Sequence, residues 1–226
     1  MLFRSIDPIA LDELFPDWKA RGAPLETPVT DDRFYYLGPA GAVRIPHLMM
    51  PPLMSNRGNY IVSLGQVCRW LGREAEALGV EIYPGFAAAD LEFGVNGEVT
   101  GIVTGDMGVA RDGGHKDNYT PGMALRGKYV LIAEGARGSL AKRIIARYEL
   151  AKDRAPQTFG LGLKELWELP KAQHRPGLVM HAMGWPLGNH TGGGGFIYHY
   201  GDNLASVGFV VHLEIGRAQR LNSSHT

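Results

Sequence analysis

With 226 residues, 45% of them apolar, the chain can form one large domain or two small ones, each with its own core. Lysine plus arginine balance aspartate plus glutamate at 23 each, so no net field draws nucleic acid or an anionic membrane, and nucleic-acid binding is not expected. Cys68 is the only cysteine, which excludes a disulfide framework and any zinc or iron–sulfur site made of several thiolates from this chain.

Asp7-Pro8 reads as a helix start, and Leu11, Leu14, Phe15 and Trp18 follow at the spacing of one helical face, with Pro16 limiting its length. Arg44 to Met54 is apolar but interrupted by Pro46, Pro51 and Pro52, so it predicts an exposed or partner-facing loop. A strand at Tyr60–Val62 leads into a helix with Leu64, Val67, Leu71, Ala75 and Leu78 on one face. Cys68 beside that face predicts a buried thiol, and a second strand is expected at Val80–Tyr83. Asn96-Gly97 between Phe86–Phe93 and Val99–Thr104 signals a hairpin. Lys128–Ala133 reads as a buried strand ending at Glu134-Gly135, followed by a helix carrying Leu140, Ile144, Ile145 and Tyr148. Such a strand-to-helix turn, at Glu134 and Gly135, serves either chain reversal or phosphate binding at a helix N-terminus. From Phe159 to His212, strands alternate with turns. No apolar run reaches the ~18 residues of a membrane-spanning helix, so membrane contact is expected to be peripheral.

The segment from Pro156 to Val211 combines strand-like runs with glycines at Gly160, Gly162, Gly184, Gly192–Gly195 and Gly208. Four consecutive glycines are entropically costly, and within a strand they mark either close approach of a ligand or backbone, or a flexible connection between strands. Trp167 and Trp185 read as core aromatics, and Glu165 beside Lys164 as a solvated or strand-paired charge contact. The histidines lack metal-ligand spacing, and no Gly-x-Ser-x-Gly elbow occurs, which argues against a hydrolase.

Gln157-Thr-x-Gly-x-Gly-Leu-Lys-Glu-Leu-Trp167, Gly184-Trp-Pro-Leu187, His190-Thr, Gly193-Gly194, Phe196-x-Tyr-His199 and Gly208-Phe-Val-Val211 together resemble electron transfer flavoprotein–ubiquinone oxidoreductase. The resemblance continues through Glu13–Lys19, Gly58–Val62 and Glu74–Val80, and so runs roughly from Ile6 to Glu214. It implies an α/β (α+β) chain: part of an FAD/NAD(P)-binding-type flavoprotein fold over residues 60–150, set between two parts, 1–59 and 151–214, of an antiparallel-strand quinone-binding domain. Residues 215–226 depart from the family and read as a disordered or non-native tail.

By the same resemblance, Gly193 and Gly194 bind quinone, Glu134 and Gly135 contact FAD, and the complete enzyme passes electrons from reduced electron transfer flavoprotein through FAD and a 4Fe–4S cluster to ubiquinone. The cluster's ligands and the Gly-x-Gly-x-x-Gly fingerprint are not in this chain, so it is expected to be a central fragment that is inactive alone. The family's tyrosine before the glycine pair is Gly192 here. A peripheral site on an energy-transducing membrane, bacterial or mitochondrial inner, is implied, with contact through Leu11, Leu14, Phe15, Met49 and Met50. The alternatives are a flavin-dependent reductase or hydroxylase of related fold, or a non-catalytic quinone- or partner-binding fragment.

Overall fold

The computed structural model describes residues 3–188 and 190–213, and the tail expected from residue 215 lies outside them. The chain divides into two compact units, one formed by residues up to Val80 and from Gln157 onward, the other by Glu81–Pro156. The second unit therefore begins at Glu81 and not at Tyr60. Both units are built mainly of antiparallel sheet with few helices.

The first unit opens with β1 (Phe3–Ile6), α1 (Ile9–Leu14), β2 (Thr27–Pro28), β3 (Asp31–Gly38) and β4 (Gly41–Ile45). Two 3₁₀ turns, His47–Met49 and Pro52–Met54, separate these from β5 (Tyr60–Ser63) and α2 (Leu64–Ala77). The prolines account for the turns, since none of them can donate to a ladder or a longer helix. The strands of the small sheet run in the order β1-β5-β2, all antiparallel. Its core gathers Leu11, Trp18, Leu25, Val62, Val67 and Trp70. Trp70 is 1% exposed, meets Phe15 edge-on at 5.4 Å, and donates from its indole N–H to the Arg21 carbonyl at 3.2 Å. A large aromatic can be buried this deeply because its one polar atom is satisfied.

Asp7 does sit at the start of α1, its carboxylate accepting the Ile9 N–H at 3.1 Å. The face after it is divided. Leu11 and Trp18 are buried, Phe15 is half-buried against Trp70, and Leu14 is 70% exposed. In α2 the buried positions are Val67 and Trp70, which turn the intervening Cys68 outward; the thiol is exposed, contrary to the sequence reading. Leu78 lies beyond the last helical residue and is exposed, and Val80–Tyr83 forms no strand.

The second unit contains β6 (Ala88–Phe93), β7 (Val99–Thr104), β8 (Met107–Val109), β9 (His115–Thr120), β10 (Ala124–Arg126) and α3 (Ser139–Arg147). β6 and β7 form the expected hairpin, with Gly97 at φ +84° in the turn, where a side chain would be strained. One sheet has the order β10-β7-β6, and β8 pairs with β9 separately. Leu91 and Leu140 are its buried apolar side chains, and Thr104 of β7 is buried as well. Lys128–Ala133 is not a strand, and Tyr129 and Leu131 lie almost fully open. A continuous apolar strand needs neighbours on both edges and cover on both faces. Here the segment pairs with no strand and its side chains have no such cover.

The chain then returns to the first unit with β11 (Phe159–Glu168), β12 (Leu178–Gly184), β13 (Gly193–Tyr200) and β14 (Leu204–Leu213). These complete a six-stranded sheet in the order β11-β14-β13-β12-β3-β4. Only the pairing of β12 with β3 is parallel. Val179, Tyr198 and Tyr200 project from one face and pack with Ile61 of β5. Trp167 and Trp185 are more than half exposed, so neither is a core aromatic.

Replacing the buried Trp70 by alanine is expected to cost about 3–5 kcal/mol, whereas Trp167→Ala costs about 1 kcal/mol or less. Urea unfolding of the two variants against the parent measures both; equal losses would contradict this assignment of the core.

Candidate functional site

The glycines of β13 and β14 bring backbones unusually close. A Cβ on Gly194 would stand 2.2 Å from the Ala182 carbonyl oxygen of β12, and one on Gly193, at φ +147°, 2.2 Å from the Val210 carbonyl of β14. A Cβ on Gly208 would enter the Phe196 ring at 2.3 Å. Neighbouring backbone and an aromatic ring thus occupy the space that these glycines leave. The four-glycine segment is not a flexible connection, because Gly193–Gly195 are paired residues of β13.

On the face carrying Phe34, His181, Gly194 and Phe196, the sheet lines a hollow of about 520 Å³ together with Leu53 and Met54 of the proline-rich turns. Gly193, Gly195 and Val210 complete much of its wall, so both glycines singled out from sequence border one cavity. The volume lies within the range of small-molecule sites, roughly 300–1,000 Å³. Among its described lining side chains, only His181 and Asn56 are polar.

His181 is held by Tyr198, whose hydroxyl lies 2.8 Å from its Nε2, with the rings edge to face. Burial pushes the imidazole below its ordinary range, Asp32 opposes that shift and His47 adds to it. Asp32 accepts the Asn56 backbone N–H at 2.7 Å and also contacts its amide. The Asp32 carbonyl accepts the His47 Nε2–H at 2.9 Å, and His47 Nδ1 is buried with no hydrogen-bond partner among the described residues. This His181–Tyr198–Asp32–His47 group was not legible from spacing. It is assembled by β3 and the first 3₁₀ turn on one side and the β12–β13 pair on the other, which lie far apart in sequence.

The opposite face of the same sheet bears a second hollow of about 650 Å³, lined by Tyr35, Leu37, Leu163, Met180, Ile197 and Phe209 among others. It lacks the contribution of the proline-rich turns. Glu165, on its rim, accepts the Trp167 indole N–H at 2.8 Å rather than standing in a simple charge contact. His199 accepts the Arg175 N–H on its Nδ1 at 3.2 Å.

In the second unit, Gly135 adopts φ +78° with open space around its Cβ position, as a turn glycine requires. Glu134 reaches over Gly138 and accepts the Ala141 N–H at 2.8 Å, capping the first turn of α3. One N–H of the first turn of α3 is therefore already engaged by a carboxylate of the chain itself. The open Gly135 backbone and the remaining acceptor capacity of Glu134 are what this turn offers to a ligand's hydrogen-bond donors.

Exposed apolar side chains cluster on the proline-rich turns, where Leu48 and Leu53 are each 98% exposed and Met49 75%, while Met50 is half-buried. Of the five residues expected to contact a membrane, Leu11 is buried and Phe15 largely committed to the core, which leaves Leu14, Met49 and part of Met50 at the surface. No helix among the described residues is long and apolar enough to cross a membrane.

A glycine-floored apolar cavity with two polar side chains in its wall defines a binding unit for a flat, apolar ligand carrying hydrogen-bonding groups. Residues 159–221 match the family described as "ETF-QO, ubiquinone-binding". The chain is 52% identical over 209 residues to the electron transfer flavoprotein-ubiquinone oxidoreductase of Pseudomonas aeruginosa, covering 92% of this chain and 38% of that protein. It is 50% identical to the mitochondrial proteins of that name from Dictyostelium discoideum and Bos taurus, in each case over 92% of this chain and 34% of the relative. A solved mutant of P. aeruginosa PqsL aligns over 97% of this chain and 51% of its own, at 16% identity and a TM-score of 0.49. The resemblance read from the motifs therefore holds: over nearly its whole length the chain is related to the electron transfer flavoprotein–ubiquinone oxidoreductases. It spans little more than a third of the length of those relatives.

Because the Ala182 carbonyl stands where a Gly194 side chain would begin, Gly194→Ala is expected to destabilise the first unit by about 1–3 kcal/mol. Gly195→Ala has ordinary contact distances, 3.4 Å or more, and should stay within about 1 kcal/mol of the parent. Thermal unfolding of both variants checks this, and equal Tm values would show that the close approach is not what requires glycine at 194.

Proposed function

We propose that the first unit binds the ubiquinone headgroup in the cavity bounded by Gly193, Gly194 and the proline-rich turns, as part of an electron transfer flavoprotein–ubiquinone oxidoreductase. The observation that carries this reading is the meeting of the two glycines with Leu53 and Met54 around one hollow. A quinone ring is flat and has two carbonyl acceptors, so it suits a narrow apolar slot with few, fixed donors. Its isoprenoid tail needs an apolar exit, and the exposed leucines and methionines beside the slot supply one.

In the whole protein, electrons arrive from reduced electron transfer flavoprotein, and FAD and a 4Fe–4S cluster supply the one- and two-electron redox chemistry. Gly135 and Glu134 are the residues of this chain offered to FAD. Cys68, the single cysteine, does not furnish a cluster site, so those thiolates come from outside this sequence. The second unit is read as belonging to the flavin-binding part. We place the protein peripherally on an energy-transducing membrane, with Leu14, Leu48, Met49 and Leu53 as the contacting side chains.

Leu53→Asp and Met54→Asp change residues at the cavity mouth, Leu53 almost fully open and Met54 at 39% exposure, so the variants should fold. In a full-length relative carrying this segment, each is expected to raise the KM for a soluble ubiquinone analogue about tenfold, equivalent to about 1.4 kcal/mol; a parental KM would move the quinone out of this cavity. Titration of the 226-residue chain with FAD is expected to give no submicromolar binding, because its one helix N-terminus at the candidate turn is already capped by Glu134. Flotation with liposomes tests the surface: the parent should float and Leu48→Asp/Leu53→Asp should not, while equal behaviour would remove the turns as the anchor.

A further inference from the structure

Taking the quinone reading of the glycine-floored cavity as its premise, we propose that His181 is the acid that protonates a carbonyl oxygen of the quinone reduced there, with Tyr198 orienting its ring and water returning its proton. Reduction of a benzoquinone to the hydroquinone consumes two electrons and two protons, one proton at each carbonyl oxygen. The electrons come from a reduced flavin or iron–sulfur donor. The protons come from the protein or from water, and the cavity wall of Phe34, Leu53, Met54, Phe196 and Val210 offers none.

Among the described lining side chains only His181 and Asn56 carry polar hydrogens, and an amide does not release its proton near neutral pH. That leaves the imidazole. Its Nε2 is engaged by the Tyr198 hydroxyl at 2.8 Å, which fixes the ring and leaves Nδ1 as the donating atom. In the step, one imidazolium N–H bond breaks as one quinol O–H bond forms, and the second proton reaches the other carbonyl oxygen from water.

The groups that face His181 are Tyr198 on β13, Asp32 on β3 and His47 on the first 3₁₀ turn. His47 donates from Nε2 to the Asp32 carbonyl, and its buried Nδ1 has no hydrogen-bond partner among the described residues. Asp32 is held in place by three contacts from Asn56, whose side chain also lines the cavity. Burial lowers the affinity of His181 for its proton, which makes the imidazolium a stronger acid toward a reduced quinone oxygen. It also makes the protonated fraction small at neutral pH, so the rate of quinone reduction should rise as pH falls toward the depressed value for His181.

The test uses a full-length relative carrying this segment, with flavin content as the control for folding and a soluble ubiquinone analogue as acceptor. His181→Gln is expected to lower kcat roughly 10²-fold, leave KM within about twofold, and abolish the rise of kcat with falling pH. Tyr198→Phe retains the imidazole and removes only one hydroxyl, so it reports on the proposal even if the glutamine variant does not fold. Its expected result is a smaller loss of kcat with a displaced pH profile. A parental pH profile in either folded variant overturns the proton-donor role, including the case in which kcat falls without any change of profile. Failure of the premise is read separately, from a parental KM in Leu53→Asp and Met54→Asp.

Discussion

The close approach of β12, β13 and β14 at Gly193, Gly194 and Gly208 is the constraint on which the first unit's ligand face depends. Carbonyl oxygens of Ala182 and Val210 stand where side chains would otherwise begin, and the Phe196 ring lies across the gap at Gly208. Any side chain there would force the strands apart, because interiors at crystal-like density relax only partly around added atoms. The same approach sets Phe196 beside the hollow, aligns His181 with Tyr198 across the ladder, and leaves the floor of the cavity as backbone. The glycines shape the site through the sheet before any ligand enters it.

Much of this was legible where local pattern decides structure. The Asn96-Gly97 hairpin, the presence of α2 and α3, and the strands from Phe159 to Leu213 follow from short-range periodicity and turn chemistry, although Leu78, Ile145 and Tyr148, read onto the helix faces, are exposed. The glycine run showed that something must approach closely at 193–194, but composition could not tell backbone from ligand. Failures fell where distant partners decide. Lys128–Ala133 has the composition of an interior strand yet pairs with no strand among the described residues, and Cys68 lies one residue from a buried position on the helix, which is enough to turn it to solvent. The pairing of His181 with Tyr198 crosses 17 residues and depends on strand register, which single-sequence spacing does not contain.

The turn at Glu134 shows how a motif can keep its backbone and change its electrostatics. Gly135 has the positive φ that the turn requires, while the Glu134 carboxylate bends back onto the Ala141 N–H. A helix N-terminus attracts one anion strongly, and here the protein supplies its own.

The proline-rich turns carry a thermodynamic consequence of their own. Pro46, Pro51 and Pro52 fix their backbone φ angles in the free chain, and backbone N–H groups of Met49, Met50, Met54 and Ser55 are already engaged within the two 3₁₀ turns. Leu48 and Leu53 are therefore presented to solvent by a frame with little backbone entropy left to lose. Transfer of these tips into any apolar medium is then governed by desolvation rather than ordering. Its calorimetric signature is a negative heat-capacity change from buried apolar area, without the large unfavourable entropy that accompanies the folding of a disordered segment on its partner.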